Sequence, residues 1–305
     1  MVGRSISPQA YTRICRLALA LLCTIVVTGA AVRLTGSGLG CTDWPRCNSE
    51  RFIDVSSTHG AIEQVNRLFT GLVAAGVVLA VLASMIRQPR RRDLVLLAWG
   101  LVAGVLAQIV LGGIVVLTGL HPLANQGHFI LSMALIANAL ILLRRSQEDE
   151  GERLRVISAV QERMVWALMV MGTLALVTGT VVTGTGPHAG DENAQRFDFS
   201  IVTVSRIHGI TVIATLVLCL VLALQFRRVS PEARSVQSAL ETVLAVGVLQ
   251  ATVGYVQYFN NVPALLVGVH IAGATAFFAS LMQLVLATRA PRAYKVVPSL
   301  EMAAR

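Results

Sequence analysis

Lysine is almost missing from this chain: of its 25 basic residues, Lys295 alone is not arginine. Charge of either sign is scarce, at 13% of 305 residues, and aromatic side chains make up only 5%. Ordinary soluble domains carry about a quarter charged residues, so this composition excludes a typical water-soluble fold. The arginine bias itself reads as GC-rich coding rather than mechanism. No Walker or Rossmann glycine pattern stands between a strand and a helix, which removes those nucleotide-binding readings. No long amphipathic Arg/Ser presequence precedes the first apolar run, and that run continues through Gly29 and Arg33 without a good cleavage site. The expectation is a bacterial plasma-membrane span rather than a signal peptide or an organelle import sequence.

What is abundant is apolar. Hydrophobic residues make up 55% of the chain, and the mean hydropathy is +0.70. Eight apolar segments can be drawn, at about 13–34, 62–86, 93–117, 124–143, 164–185, 203–226, 237–258 and 263–288, each near the ~20 residues that a membrane helix needs. The net charge of +9 raises nucleic acid as a partner until the cations are located. Arg4, Arg13 and Arg16 precede or open the first segment, and Arg87, Arg90, Arg91 and Arg92 follow the second. Arg144, Arg145, Arg153, Arg155 and Arg163 lie between the fourth and fifth; Arg227, Arg228 and Arg234 between the sixth and seventh. Arg289, Arg292, Lys295 and Arg305 close the chain. These positions share one side of the membrane, and the positive-inside rule makes it the cytoplasm, with both termini there. The charge is an orientation signal; membrane lipid is the expected surroundings, and no nucleic-acid partner is expected.

The chain also repeats itself. Gln108, Gly112 and His128 recur as Gln250, Gly254 and His270, and Asn66 corresponds to His208, all at an offset of 142. "VTGAAVRLTGSG" from Val27 echoes "VTGTVVTGTG" from Val177 at an offset of 150. Two units of four spans insert the same way because four is even, so their pseudo-two-fold axis runs along the membrane normal. The expected fold is an all-α integral membrane protein, its eight transmembrane helices forming two tandem four-helix bundles. The N-terminal unit is 1–145, the cytoplasmic linker 146–163 and the C-terminal unit 164–305.

Against that frame, His208 and His270 enter one bundle at similar depth from the outer face. Each could make a plain interhelical hydrogen bond, but a pair at repeat-related positions favours axial ligation of a haem iron, as two His on facing helices can fill both axial places. The other bundle keeps His128 and has Asn66 where the second His would be. Glu63 lies one turn away on the same helix face. An ionisable group at a membrane helix mouth is costly, and two readings stand: a general base or charge-stabilising group, or an ion pair with Arg67 that anchors the helix. Cys41 and Cys47 flank "TDWPR" in the first outer loop. In an oxidising compartment they can close a disulfide, as a staple or as a redox device. Their spacing is poor for zinc. Cys15, Cys23 and Cys219 fall in apolar segments and read as small buried hydrophobes. His59, His121 and His188 fall in outer loops or helix mouths, and Arg67 and Arg206 suit either propionates or headgroups.

With "RLTGSGLGCTDWPRC", "EQVNR", "GGIVVLTGLHPLANQGHF", "VTGTGPHAGD", "RIHG" and "GVHIAGA" in view, the chain resembles the haem A synthases of bacteria and mitochondria over nearly its whole length. It is most similar to bacterial members of actinobacterial type, with Asn at one haem-ligand position. The resemblance implies oxidation of the C8 methyl group of haem O to a formyl group, giving haem A for cytochrome oxidase. It implies a haem b cofactor held by His208 and His270, and a substrate haem at His128 and Asn66. It assigns catalysis to Glu63 and a functional pair to Cys41 and Cys47. Haem O synthase (a farnesyltransferase) and cytochrome oxidase assembly factors are the implied partners. Two other classes fit parts of the pattern: a membrane diheme cytochrome b exchanging electrons with quinone, and a repeat-built transporter with Glu63 as its proton site.

Overall fold

The computed structural model describes residues 5–228 and 233–291. Arg4, Arg292, Lys295 and Arg305 of the orientation argument lie outside the described residues. Eight helices follow one another: α1 (Pro8–Leu34), α2 (Thr58–Ile86), α3 (Arg92–Leu117), α4 (Pro122–Ser146), α5 (Ala159–Thr185), α6 (Ile201–Gln225), α7 (Arg234–Phe259) and α8 (Ala264–Ala287). All eight are long and apolar enough to cross a membrane. At 24 to 29 residues they reach about 36–43 Å, beyond the ~30 Å hydrocarbon layer. The chain is a multi-pass membrane protein.

The helix starts are written locally. Ser7 accepts from the Ala10 N–H with Pro8 next in line, and Ser57 accepts from Gly60. Ser158 and Gln161 form a reciprocal capping box at the start of α5. These contacts satisfy backbone donors that have no partner within the first turn. The expected segments stop two to five residues short at several of these ends, because hydropathy fades where the caps and interfacial arginines begin.

Within each unit the helices pack in a ring. In the first, α1 meets α2, α2 meets α3, α3 meets α4 and α4 returns to α1; α5 to α8 repeat the arrangement. Helices α2 and α4 therefore stand diagonally opposite, as do α6 and α8. The units join through α1 against α8, α4 against α5, and α4 against α8. A two-fold operation exchanging α1 with α5 and α4 with α8 converts the first contact into the second. It maps the third onto itself, as the expected pseudo-symmetry requires.

The two large clusters of buried apolar side chains each fill one half of a ring, and a smaller one, with Val115, Leu120 and Ala189, lies on the cysteine-loop side. The first cluster gathers Tyr11, Leu94, Leu101, Ile136 and Leu142; the second gathers Val165, Leu168, Cys219, Leu222 and Leu240. All lie toward the arginine-rich ends of their helices. Helix α8 serves both clusters, giving Phe278 and Met282 to one and Phe277 and Leu281 to the other. The opposite halves, toward the cysteine loop, carry the histidines, glycines and threonines instead. Residues 146–163 are partly ordered: β1 (Arg153–Arg155) pairs antiparallel with β2 (Arg289–Pro291), and Glu162 accepts from Arg289 at 2.7 Å and Arg155 at 2.5 Å. These contacts tie the stretch between α4 and α5 to the residues just after α8.

On the cysteine-loop side Arg33 joins the two units. It leaves the last turn of α1 and donates to the Thr183 carbonyl at 2.8 Å and the His188 carbonyl at 2.5 Å. Gly38 N–H adds a bond to the Gly190 carbonyl at 2.9 Å. Replacing Arg33 with Leu should cost about 1.5–3 kcal/mol, the usual loss for a hydrogen bond to a charged group. A lower thermal midpoint in detergent checks it, and an unchanged midpoint would mean that other contacts hold the units together.

Candidate functional site

Two imidazoles meet in the centre of the second bundle. His208 on α6 and His270 on α8 have ring centroids 6.4 Å apart with planes at 86°. Neither ring reaches the middle by chance of packing, because a glycine on the neighbouring helix makes room for each. A Cβ on Gly179 would lie 3.1 Å from His208 Cε1, and one on Gly254 would lie 3.0 Å from His270 Cε1. The backbones are fixed as well: Gln250 Nε2 donates to the His270 carbonyl at 2.7 Å. Thr178 Oγ1 lies 3.2 Å from His208 Nδ1, which leaves Nε2 of that ring unclaimed. Two imidazoles this close could hold one metal ion between them. The donor set suits a low-spin haem iron.

The first bundle repeats half of this. His128 on α4 faces Gly112, whose Cβ would sit 3.4 Å from its Cε1. Gln108 Nε2 donates to the His128 carbonyl at 3.0 Å and to Ser132 at 2.7 Å. Asn66 on the diagonal helix α2 stands at the repeat position of the second imidazole, and its buried Oδ1 has no donor.

Over this bundle sits the cysteine loop. Cys41 and Cys47 form a disulfide with Cα atoms 4.3 Å apart. The Trp44 ring lies against Gly113, where a Cβ would come within 2.8 Å of it. Gly113 is the residue after the glycine that seats His128, so the doubled glycine serves one ring from each side. Glu63 is 8% exposed and accepts from Arg67 Nη2 at 2.6 Å and from Arg67 Nε at 3.0 Å. Its other oxygen accepts the backbone N–H of Cys41 at 2.7 Å. Arg67 also donates to the Arg46 carbonyl at 3.1 Å and to the Asp43 carbonyl at 3.2 Å, both inside the disulfide ring. One carboxylate, one guanidinium and one six-residue step of chain are therefore a single unit. Gly40 allows the loop to approach α2, since a Cβ there would be 2.2 Å from the His59 carbonyl oxygen. At the loop's far end, hydrogen bonds from Ser56 hold the half-buried Asp54 carboxyl down to about 2.

The family model described as cytochrome oxidase assembly protein, COX15-CtaA, matches residues 12–59 and 50–282. This chain belongs to the COX15-CtaA family. Among curated relatives, the "Heme A synthase" of Exiguobacterium sibiricum is 27% identical over 164 residues, 53% of this chain and 55% of that one. The "Heme A synthase" of Bacillus pumilus is 34% identical over 120 residues, 39% of each chain. That of Shouchella clausii is 28% identical over 165 residues, 53% of this chain and 55% of its own. The chain thus spans about half the length of the curated relatives it matches best.

For this COX15-CtaA protein, the residues singled out from sequence fall into three groups. His208 and His270 come together, His128 stands alone opposite Asn66, and Glu63 joins the cysteine loop through Arg67. The ion-pair reading of Glu63 is present, and it does more than anchor a helix. Arg67 is spent on that pair and on loop carbonyls, whereas Arg206 is exposed. His188 bonds the Val262 carbonyl at 2.8 Å, His121 caps α4 and His59 meets Ser37 at 2.9 Å, so all three are structural. Sequence reasoning missed Arg33, the Cys41 N–H and the seat of Trp44. A signal for the last was present: "GG" at 112–113 stands where the second unit has Gly254 and Tyr255.

Arg67→Met and Gly40→Ala should each loosen the loop by a different route. Reduction of Cys41–Cys47 by dithiothreitol, followed by alkylation and mass, should then run roughly tenfold faster, the kinetic equivalent of one lost charged hydrogen bond. Unchanged rates would mean that the loop is held by something else.

Proposed function

We propose that the protein is a haem A synthase, oxidising the C8 methyl group of haem O to a formyl group and so making haem A for cytochrome oxidase. The observation that carries this reading is the asymmetry between the bundles: a matched His pair in one, and in the other a single His beside a carboxylate tied to a disulfide loop. The names of the curated relatives support it. On this reading the N-terminal unit, 1–145, is the substrate unit and the C-terminal unit, 164–305, holds haem b, with 146–163 linking them. His208 and His270 hold the haem b iron, and that group supplies one-electron transfer when bound. His128 holds the iron of the substrate haem, with Asn66 across from it.

The chain's own residues then have defined tasks. Arg67 and the Cys41 N–H fix both oxygens of Glu63, so the carboxylate cannot swing away from the bundle mouth. Glu63 faces the positive charge and the proton that appear as a methyl group is oxidised to the alcohol and then the aldehyde. Trp44 and the disulfide loop cover that mouth and exclude water from it. A haem held by His208 and His270 would supply a one-electron acceptor for this oxidation. The membrane is the bacterial plasma membrane with both termini cytoplasmic, which sets the cysteine loop in an oxidising compartment. Haem O synthase and cytochrome oxidase assembly factors are the partners this reading requires. A diheme cytochrome b accounts for the His pair but leaves Glu63 and the cysteine loop without a task.

Glu63→Gln should lower turnover by about 10²–10⁴-fold, the usual range for a positioned acid or base, while the spectrum of the His208/His270 haem stays intact. Full activity in that variant would remove Glu63 from the chemistry. Haem extracted from protein made in cells that supply haem O should include haem A or its hydroxylated precursor by chromatography with mass detection. Haem B alone would leave a cytochrome.

A further inference from the structure

The repeat preserves more in the first bundle than its chemistry uses. In the second bundle Thr178 and Gly179 form the seat of the His208 ring: the threonine lies 3.2 Å from Nδ1, and the missing side chain of the glycine leaves room for Cε1. Their counterparts at the offset of 150 are Thr28 and Gly29, the same pair of residues on α1. Of Thr178, Gly179 and His208 only the last has a different counterpart, Asn66; Thr211, which lies 3.0 Å from Thr178 Oγ1, is replaced by Phe69. With Asn66 there, a Cβ added to Gly29 meets no atom within 4 Å. Thr28 donates to the Ile25 carbonyl at 3.3 Å, as Thr178 does to the Ala175 carbonyl at 3.0 Å, and has no imidazole beside it. The carboxamide oxygen of Asn66 is buried with no donor, a state that native proteins rarely leave uncompensated. The threonine and glycine of the seat persist, the imidazole does not, and the residue at its repeat position carries an unpartnered acceptor.

We propose that Asn66 and Gly29 form a binding site for a small neutral ligand that carries an O–H or N–H donor, on the side of the first bundle opposite His128. Water is such a ligand, and free imidazole fits the same seat. Asn66 Oδ1 accepts the donor hydrogen, and Gly29 leaves room for the ligand's body. The assignment rests on the reading of His128 as the ligand of the substrate haem, and it makes Asn66 a positioning residue that keeps the opposite axial place for an exogenous group. The second bundle offers no such place, because both of its imidazoles are built in.

The test is an optical titration of the purified full-length protein, supplied with haemin, using free imidazole as the probe. In the wild type about half of the bound ferric haem should be high-spin, since one bundle has both axial donors and the other has one. Imidazole should convert that half to low-spin. Asn66→His should be low-spin without added imidazole. Adding Gly29→Val to it should restore the high-spin half by filling the seat. Asn66→Ala should keep the high-spin half but bind imidazole about tenfold more weakly, the loss of one hydrogen bond. If Asn66→His does not fold, Gly29→Val alone should abolish the imidazole response. His128→Ala separates this proposal from the reading beneath it. If it lowers bound haem by about half while the wild type is wholly low-spin and indifferent to imidazole, the ligand seat is wrong and the haem site stands. If it leaves both bound haem and the imidazole response unchanged, the reading of His128 falls, and the proposal with it.

Discussion

An imidazole in the middle of a helix bundle needs space that a neighbouring backbone would otherwise take, and the sites in this molecule depend on how that space is made. Gly179, Gly254 and Gly112 each face a histidine ring at a distance where a Cβ would touch it. Small residues also let membrane helices approach closely enough to pack without a hydrophobic drive between them. The same glycines therefore serve helix association and ligand seating. The division along the bundle axis follows: bulky aliphatic side chains close the arginine-rich halves, and rings seated on glycine occupy the halves beneath the cysteine loop.

Charge near the hydrocarbon layer is handled by consumption rather than by exposure. Glu63 is surrounded by Arg67 and a backbone N–H, and Arg67 spends its remaining donors on loop carbonyls. Arg33 does likewise with carbonyls from the other unit. A buried ion pair gains little in net stability once desolvation is counted, yet breaking it leaves an uncompensated charge. Such groups therefore give register more than strength. Here they fix where the loop lies over the bundle and how the two units face one another.

The two units are alike in frame and different in content. Helix order, the diagonal placement of the ligand helices and the glutamine that pins each histidine backbone are common to both. The cysteine loop, the doubled glycine beneath Trp44 and the exchange of His for Asn at position 66 belong to the first unit alone. Divergence has gathered at one end of one bundle, where a duplicated scaffold can change a ligand set without disturbing the helix packing below.

Much of this was legible in the chain itself. Eight spans and the repeat follow from hydropathy and two constant offsets, because a membrane helix must satisfy its own backbone and so declares itself in local sequence. Helix ends drifted by a few residues because caps, unlike apolar runs, are short and polar. His208 and His270 could be paired from the repeat, since symmetry converts spacing along the chain into nearness in space. What sequence could not supply were contacts between elements with no periodic signature: Arg33 on the carbonyls of Thr183 and His188, Trp44 on Gly113, and Arg67 on the carbonyls of Asp43 and Arg46. Each depends on where a loop comes to rest, and a loop is placed by the helices around it rather than by its own residues. The sequence by itself determined the eight helices and the repeat that pairs them. Only the tertiary structure decided that Glu63, Arg67 and the disulfide loop act as one body, because that union runs through backbone groups that every residue carries and no residue type can announce.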